Sequence, residues 1–568
     1  MTLLPRCVVL LAATALLHLP APAASAAEPL SFGPCPDSVP APPAPDRVEC
    51  GHLSVPLDHR RPDGPRIDIA VSRVPASGKR RGILLVNPGG PGGSGLPYAV
   101  TKRAKLPESV RRAYDVIGFD PRGVGASTPA DCGDMGGLFD TPAPDLEGRA
   151  YLASLKALAD DCADNALPHL STEETAYDMD AIRSALGEPV TNFLGVSYGS
   201  YLGAAYTTLF PARTGRMVLD SVVGPWDWYD FDVIQARALL RQRDVFFGWA
   251  AAHDERFGLG DTPEEVRRAY LRAREGFEGY GAGGASGVRG DGSAGRADSD
   301  GRADADAGGS GGRGDSGRRT GADLASADRS GAPGRSARPA LGLADSGRRT
   351  GADPGASGSA DGPADPGRPA RLPLGPADFD RVVYRALGRT ERWTPLADGL
   401  RAYLRDGSTD GLRLPAPFDS PASRNYEAAN RIVKCADGPA PTPARILADR
   451  HHLHRLAPAP VLTGMEAAAC AYWHHRPAHR TPLGSPDAPP LLLVSSAHDP
   501  VTPAEGAHAL RRLLPGSRIV TLDDDYSHGV FASRGNACVD GTVAAYLLDG
   551  DVPPADVRCA GPGLPAVS

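Results

Sequence analysis

Three features are scarce in this sequence of 568 residues: closely spaced cysteine pairs, extended basic stretches and long apolar segments. No Cys-x-x-Cys occurs anywhere, which argues against a zinc site. There is no basic stripe and the formal net charge is −7, so we do not expect nucleic acid as a partner. Beyond residue 27 no segment is long and apolar enough to cross a bilayer, so no membrane partner is expected. We also expect no cofactor and no metal ion.

The short apolar stretch that is present stands at the N-terminus. It follows Arg6, runs from Val8 to Leu17 and ends in the small residues 23–27. One positive charge, a short apolar run and an Ala-x-Ala site are typical of a secretory signal peptide that is cleaved off. We therefore predict that residues 1–27 are a signal peptide. The mature protein is predicted to be secreted and extracellular, with association with the cell wall left open.

Cysteine usage agrees with export. Cys7 leaves with the signal peptide and eight cysteines remain, an even number that in an exported chain favours disulfides over thiol chemistry. Eight cysteines allow 105 pairings, and the sequence alone does not choose among them. They do form four well-separated neighbour pairs, which favours Cys35–Cys50, Cys132–Cys162, Cys435–Cys470 and Cys538–Cys559.

Strands and helices alternate along two separate parts of the chain. Short apolar segments bounded by polar or Gly-rich turns are typical of strands buried on both faces. Strands are predicted at 52–57, 66–74, 82–86, 114–118, 191–195, 216–219, 490–496 and 517–522. A helix with an acidic first turn is predicted over Thr172–Leu186. This alternation indicates an α/β fold with a mostly parallel sheet and flanking helices.

The predicted sheet domain is split by an insertion. Its two parts are residues 28–225 and 481–568, and the residues between them, 226–480, have mostly helical patterns. Helices are predicted there at 233–253, 262–278, 378–387, 394–406 and 425–434. We expect this insertion to form a cap over the active site. Within it, residues 281–377 lack aromatic residues, Ile and Met, and cannot bury enough apolar surface to fold, so we predict that this tract is disordered.

The motif Gly195-Val-Ser197-Tyr-Gly199 is the main chemical signal. A predicted strand precedes it and a predicted helix follows it. This is the context in which a serine stands on a tight turn at the carboxyl edge of an α/β-hydrolase sheet. A Gly-rich turn without such a role would not require both flanks, so we predict that Ser197 is the nucleophile.

A serine hydroxyl needs an adjacent base, which in turn needs an orienting carboxylate. In α/β-hydrolases the order along the chain is serine, acid, histidine. Asp499 follows the strand at 490–496, and His528 follows the next strand, so we predict that they are the acid and the base. His498 precedes the acid and has the wrong order, whereas Asp220, at the end of an earlier strand, remains a second candidate for the acid.

Two backbone N–H groups should bind the oxyanion that forms during acyl transfer. One is that of Tyr198, which follows the nucleophile. We assign the other to Gly90 in the loop Asn87–Gly95, which is rich in glycine and follows a strand. A phosphate-binding loop is the competing interpretation, but this loop lacks the Gly-Lys-Ser/Thr ending and its prolines remove donors.

Together these residues resemble the tripeptidyl aminopeptidases of actinobacteria, which are exported relatives of the prolyl aminopeptidases. The matching segments are Asn87–Gly95, Gly118–Ser127, Asn192–Gly203, Arg216–Asp220, Cys435–Asp437, Cys470–Trp473, His498–Pro503 and Ser527–Gly529. The resemblance implies an α/β-hydrolase fold with a helical cap, and cleavage of short peptides from a peptide or protein substrate with a free amino end. Two features depart from the family pattern: Ser221 stands where the family has glycine, and the low-complexity tract is long.

An exopeptidase of this kind must hold a positive α-amino group in its cap. Asp437, next to Cys435, is our hypothesis for the carboxylate that does so, with a surface turn as the alternative. Two other functions stay open. A secreted carboxylesterase or lipase would use the same triad, and a peptide-binding surface protein would keep the fold without the chemistry.

Overall fold

The computed structural model describes residues 30–132, 148–165, 168–282, 375–413, 420–456, 465–474 and 480–567. All of them belong to one compact unit. The predicted signal peptide and residues 283–374 of the low-complexity tract lie outside the described residues, so both interpretations stay predictions. The disorder predicted for 281–377 is wrong at the two ends of the tract, where residues 281–282 and 376–377 lie in helices.

A single twisted sheet forms the centre of this unit. Among the described residues its strands are β1 Glu49–Pro56, β2 Arg66–Val74, β3 Gly82–Asn87, β4 Tyr114–Phe119, β5 Thr191–Val196, β6 Thr214–Asp220, β7 Leu492–Ser496, β8 Arg518–Asp523 and β9 Val557–Ala560. Their spatial order is β1-β2-β4-β3-β5-β6-β7-β8-β9. The strands from β4 to β9 pair in parallel, whereas β2 runs antiparallel to both of its neighbours. The predicted mostly parallel α/β sheet is confirmed.

Some of the helices pack against the two faces of this sheet, and others belong to the insertion between β6 and β7. The helices are α1 Leu96–Arg103, α2 Glu108–Ala113, α3 Arg149–Asn165, α4 Thr172–Ala185, α5 Tyr198–Leu209, α6 Trp228–Ala251, α7 Asp254–Phe257, α8 Pro263–Ala282, α9 Pro376–Leu387, α10 Trp393–Asp406, α11 Pro421–Asp437, α12 Pro443–Leu456, α13 Glu505–Leu513 and α14 Ala537–Asp549. The helix predicted after residue 172 is confirmed as α4, and Ser171 caps it by accepting a hydrogen bond from the Glu174 N–H. The sequence patterns predicted neither β9, which has only four residues, nor the helices α1, α2, α3, α7, α12 and α14.

The central strands are apolar because helices pack against both of their faces. In β3 every residue is buried. Ile83 and Leu85 join the hydrophobic core formed with α3, α4 and α5, whereas Leu84 and Val86 join the core formed with α1, α2 and α14. This alternation follows from the two-residue period of side chains along a strand.

The chain between β6 and β7 contributes helices and, in its described part, no strand. Helices α6, α8, α9 and α10 form a third hydrophobic core of their own, which is rich in aromatic side chains. Trp249 of α6 lies 5.6 Å from Trp393 of α10 and 5.3 Å from Phe257, measured between ring centroids. The helices predicted in the insertion are therefore present, and apolar side chains of α6, α8, α9 and α10 pack against one another.

Four disulfides join Cys35 to Cys50, Cys132 to Cys162, Cys435 to Cys470, and Cys538 to Cys559. The pairing is the one that the positions of the cysteines along the chain favour. The described residues include no helix that is long and apolar enough to cross a membrane.

Candidate active site

Ser197 stands on the sharp turn between β5 and α5. Its backbone has φ +61° and ψ −127°, a conformation that side-chain-bearing residues rarely adopt. The turn is tightly enclosed: a Cβ on Gly195 would lie 2.2 Å from the Gly199 carbonyl oxygen, and one on Gly89 would lie 2.4 Å from the Val196 carbonyl oxygen. Only glycine fits at these two positions. The motif thus has the strained, exposed serine turn that its sequence context predicts.

His528 is bonded to Asp499, the carboxylate that the chain order indicates. Its Nδ1 lies 2.9 Å from Asp499 Oδ2 and 3.1 Å from Oδ1. Asp499 also accepts hydrogen bonds from the N–H groups of Val501 and Thr502 and from the Thr502 hydroxyl. Burial raises the pKa of Asp499, but the charge of His528 and these hydrogen bonds outweigh it and hold the pKa below its usual value. Asp499 is therefore ionised at neutral pH and fixes the orientation of the imidazole.

Ser197 and His528 line the same cavity. In the described part of the chain no hydrogen bond joins the Ser197 hydroxyl to His528. Such contacts are often long in enzymes without substrate and tighten when substrate binds.

Asp220, the second candidate for the acid, has a different place. Its carboxylate accepts hydrogen bonds from the N–H groups of Val530 and Phe531 at 3.0–3.1 Å and therefore holds the loop that carries His528. Burial raises the pKa of Asp220, against the lowering effect of Lys102 and of these two N–H groups. Asp499, and not Asp220, contacts the imidazole.

Ser221 contributes to the same loop. Its hydroxyl accepts a hydrogen bond of 2.8 Å from the N–H of Gly529, the residue after His528. Its φ of +53° lies in the left-handed region that favours glycine, the residue that the family has at this position. Ser221 thus has the left-handed backbone conformation that glycine favours, and its hydroxyl adds a hydrogen-bond acceptor beside His528.

Gly90 and Tyr198, the two predicted oxyanion donors, both line the cavity. The N–H of Gly89 is already engaged by Asn87 Oδ1 at 2.9 Å. The N–H groups of Gly90 and Tyr198 have no hydrogen-bond partner among the described residues, and they are available to a ligand. This distinction supports Gly90 over its neighbour as a donor.

The cavity has a volume of about 250 Å³ and is enclosed by residues of the sheet edge and of the insertion. Its walls combine aromatic rings with several charged side chains. The lining residues are Pro88, Gly90, Ser197, Tyr198, Val223, Trp228, Phe231, Gln235, Tyr384, Arg385, Gly388, Arg389, Arg392, Tyr426, Asn430, Lys434, Glu466, Val501 and His528.

A group of three charged residues from the insertion reaches this cavity. The ammonium of Lys434 contacts both Glu466 and Asp232, the latter at 3.0 Å. Asp232 also accepts a hydrogen bond of 2.7 Å from the Ala467 N–H. Burial raises the pKa of Glu466, but the charges of Lys434 and Arg431 outweigh it, so its pKa is lowered. Glu466 is therefore ionised, and because its side chain is partly exposed, it can accept a hydrogen bond from a positive group of a ligand.

The structure does not bring Asp437 to the cavity, contrary to our hypothesis. Its carboxylate is 1% exposed and accepts hydrogen bonds from the Thr172 N–H and hydroxyl, from Trp228 Nε1 and from the Thr481 hydroxyl. Burial raises its pKa to about 6, against the effect of these hydrogen bonds. Its oxygens are occupied by the protein itself, so Asp437 is a packing residue that joins α4, α6 and α11.

Lys434 and Glu466 are not among the site residues predicted from the sequence. Lys434 precedes Cys435, and Glu466 stands four residues before Cys470, so the disulfide between these two cysteines ties the two charged residues together. Their closeness to a predicted disulfide was the signal that could have found them.

Comparisons with known proteins show the family to which the chain belongs. Residues 459–559 match a family model described as TAP-like protein, and residues 82–272 match one described as alpha/beta hydrolase fold. A tripeptidyl aminopeptidase of Streptomyces coelicolor is 31% identical over 549 residues, which cover 91% of this chain and 84% of that protein. Serine protease Hip1 of Mycobacterium tuberculosis is 30% identical and covers 94% of this chain and 91% of its own. Carboxylesterase B of the same organism is 29% identical, with coverages of 90% and 86%.

Proposed function

Because this chain belongs to the TAP-like family of α/β-hydrolases and is a serine hydrolase of the peptidase type, we propose that it releases short peptides from the free amino end of its substrates. One observation carries this proposal. The cavity that contains Ser197 and His528 also contains Glu466, a partly exposed carboxylate whose pKa is lowered by the neighbouring charges of Lys434 and Arg431, so that it is ionised. An esterase has no need of such a group, whereas an aminopeptidase has.

In the proposed reaction Ser197 attacks the scissile carbonyl while His528 takes the hydroxyl proton. Asp499 keeps the imidazole oriented and stabilises its charged form. The N–H groups of Gly90 and Tyr198 bind the oxyanion. His528 then gives its proton to the leaving amine, and an acyl-enzyme on Ser197 remains. Water activated by His528 hydrolyses this ester and restores the serine.

In the same proposal Glu466 accepts the substrate's α-ammonium group. Its side chain is 29% exposed, whereas Asp232 and Lys434 are almost completely buried. Asp232 holds Lys434 and the Ala467 N–H, and through them it fixes the position of Glu466. The aromatic rings of Trp228 and Phe231 supply apolar walls for the side chains of the acyl part.

The test compares a tripeptidyl p-nitroanilide that has a free amino group with its Nα-acetylated form. We expect the wild type to prefer the free amine, and Glu466→Gln to raise KM for it about 10–100-fold, since a charge-assisted hydrogen bond contributes roughly 1.5–3 kcal/mol. Glu264→Gln, an exposed residue of α8, is the matched control and should keep the wild-type KM. Equal rates on both substrates would refute the proposal, and Ser197→Ala should abolish turnover and labelling by a fluorophosphonate.

A carboxylesterase is the second candidate, because a relative at 29% identity has that name. Short-chain p-nitrophenyl esters discriminate the two functions. A catalytic efficiency on such an ester that exceeds that on every free-amine peptide would favour the esterase. If the fluorophosphonate does not label the wild type at all, the protein is neither enzyme and the peptide-binding alternative gains.

We further propose that the protein acts outside the cell. Four disulfides in a chain of this size are typical of an oxidising compartment. Mass spectrometry of the protein recovered from culture medium should find a mature N-terminus after Ala26 or Ala27. Recovery of an intact Met1 from the cell interior would contradict this proposal.

A further inference from the structure

Three arginines line one wall of the active-site cavity: Arg385, Arg389 and Arg392. Arg385 lies in the last turn of α9, and the other two follow within the next two turns of the chain. Arg389 is extended between α9 and the 3₁₀ helix Thr390–Arg392, and this bend in the chain brings all three arginines to the same cavity.

The positive charge of this arginine wall is only partly balanced. Arg389 lies 3.5 Å from Glu391, which also pairs with Arg534 at 2.9 Å. Arg385 and Arg392 have no carboxylate partner among the described residues; the guanidinium of Arg392 donates to the Arg385 carbonyl oxygen at 3.1 Å. Burial and the charge of Arg389 lower the pKa of Arg392, which shows that the like charges repel one another. A bound anion would relieve this repulsion.

The arginine wall adjoins the base of the triad. The carbonyl of Gly388 accepts a hydrogen bond of 2.9 Å from the backbone N–H of His528. The guanidinium of Arg389 lies 3.4 Å from the point that a Cβ on Gly529 would occupy. Since the imidazole must reach the leaving amine to protonate it, the part of the substrate nearest to His528 and Arg389 is the leaving part.

We propose that the arginine wall binds a carboxylate on the leaving part of the substrate, close to the scissile bond. This inference rests on the proposed function and deepens it. The carboxylate can be the side chain of an acidic residue directly after the scissile bond or the C-terminus of a short peptide. The enzyme then recognises opposite charges at the two ends of a short peptide, an ammonium at Glu466 and a carboxylate at the arginines.

Two pairs of peptides test this inference and separate the two sources. Ala-Ala-Ala-Asp-Ala-amide and Ala-Ala-Ala-Asn-Ala-amide differ in the side-chain carboxylate, whereas Ala-Ala-Ala-Ala and its C-terminal amide differ in the terminal carboxylate. The released fragments are measured by mass spectrometry. We expect kcat/KM to be roughly tenfold higher for the acidic member of at least one pair, since three partly exposed charges each add a small factor. Salt at 0.5 M should reduce the ratio through screening.

Variants show whether the arginines are the cause. In Arg385→Gln/Arg389→Gln/Arg392→Gln the ratio of acidic to neutral peptide should fall to about one. Arg385→Gln alone, an exposed position whose loss does not threaten folding, should lower the ratio two- to threefold. Arg112→Gln in α2, an exposed arginine that does not line the cavity, is the matched control and should leave the ratio as in the wild type.

Three outcomes would overturn the inference: a wild-type ratio near one in both pairs, equal losses on acidic and neutral peptides in the arginine variants, or a change of ratio in the Arg112 control. If no free-amine peptide is cleaved at all, the proposed function fails instead. The peptide pairs therefore distinguish failure of the arginine wall from failure of the exopeptidase assignment.

Discussion

The disulfide between Cys435 and Cys470 should matter for substrate binding as well as for stability. It joins α11, which carries Lys434, to the 3₁₀ helix Glu466–Tyr472, whose first residue is the proposed acceptor of the α-amino group. Both sulfurs are buried, so the perturbation is the double substitution of Cys435 and Cys470 by Ala. The disulfide between Cys538 and Cys559, which joins α14 to β9, offers a matched control.

The two disulfides have similar expected effects on stability. The sequence separation is 35 residues in the first and 21 in the second. The loop-closure entropy of the unfolded chain then gives a contribution of about 3.8 kcal/mol for Cys435–Cys470 and about 3.3 kcal/mol for Cys538–Cys559 at 25 °C. These values differ by only about 0.5 kcal/mol, so general destabilisation should affect both double variants almost equally.

Their expected effects on binding differ. Without the Cys435–Cys470 bond, the charge of Lys434 and the hydrogen bond from the Ala467 N–H to Asp232 still hold the segment of Glu466, but its position becomes less defined. We expect KM for a free-amine tripeptidyl p-nitroanilide to rise about tenfold in this variant, while the variant of Cys538 and Cys559 keeps the wild-type KM. Urea unfolding of both variants supplies the stability, and assays well below the transition supply the kinetics. Equal KM values in the two variants would refute the reasoning.

Two further predictions concern the loop of the base and the misassigned carboxylate. Ser221→Gly relieves the positive φ but removes the acceptor of the Gly529 N–H, so kcat should fall severalfold with little loss of stability. Ser221→Ala should reduce kcat by a similar factor and lower the free energy of unfolding by about 1 kcal/mol more, because the alanine keeps the unfavourable φ. Equal stability of the two variants would contradict this account. The folded-state pKa of Asp437, about 6, lies above its usual value of 3.8, so its contribution to stability is complete below pH 3.8 and is lost as pH rises through 6. The destabilisation caused by Asp437→Asn should therefore shrink by about 2–3 kcal/mol between pH 4 and pH 7 in urea titrations, and a constant difference would show that the carboxyl is not perturbed.

The sequence was sufficient for the parts of the molecule that local patterns determine. The strands at 82–86 and 191–195 are continuous apolar runs because helices cover both of their faces, and such runs are visible without a structure. The turn at Ser197 requires small residues on both sides, so Gly195 and Gly199 make it predictable from the sequence. Asp499 and His528 could be predicted because each follows a parallel strand, β7 and β8, and the ends of parallel strands meet at the same edge of the sheet.

The substrate end of the cavity could not be predicted in this way. Asp437 and Glu466 are both carboxylates near the cysteines of one disulfide, and nothing local distinguishes them. What separates them is the set of donors around each: Asp437 meets Thr172, which is 265 residues away in the sequence, whereas Glu466 meets Lys434 beside the cavity. The packing of the insertion against the sheet therefore determines which carboxylate has its oxygens occupied by donors of the protein and which remains available to a ligand.

The same packing gives the insertion a role besides that of the predicted cap. The His528 N–H donates to the carbonyl of Gly388, the Thr390 N–H donates to the Ser527 hydroxyl, and the Gln242 side-chain amide donates to the Tyr526 carbonyl. Three residues of the insertion thus hold three consecutive residues of the loop that carries the base. Asp220 and Ser221 hold the following residues from the sheet side, so both the insertion and the end of β6 position His528. A substitution in α6 or after α9 that shifts the insertion must then change kcat together with KM, because the element that selects the substrate also orients the catalytic imidazole.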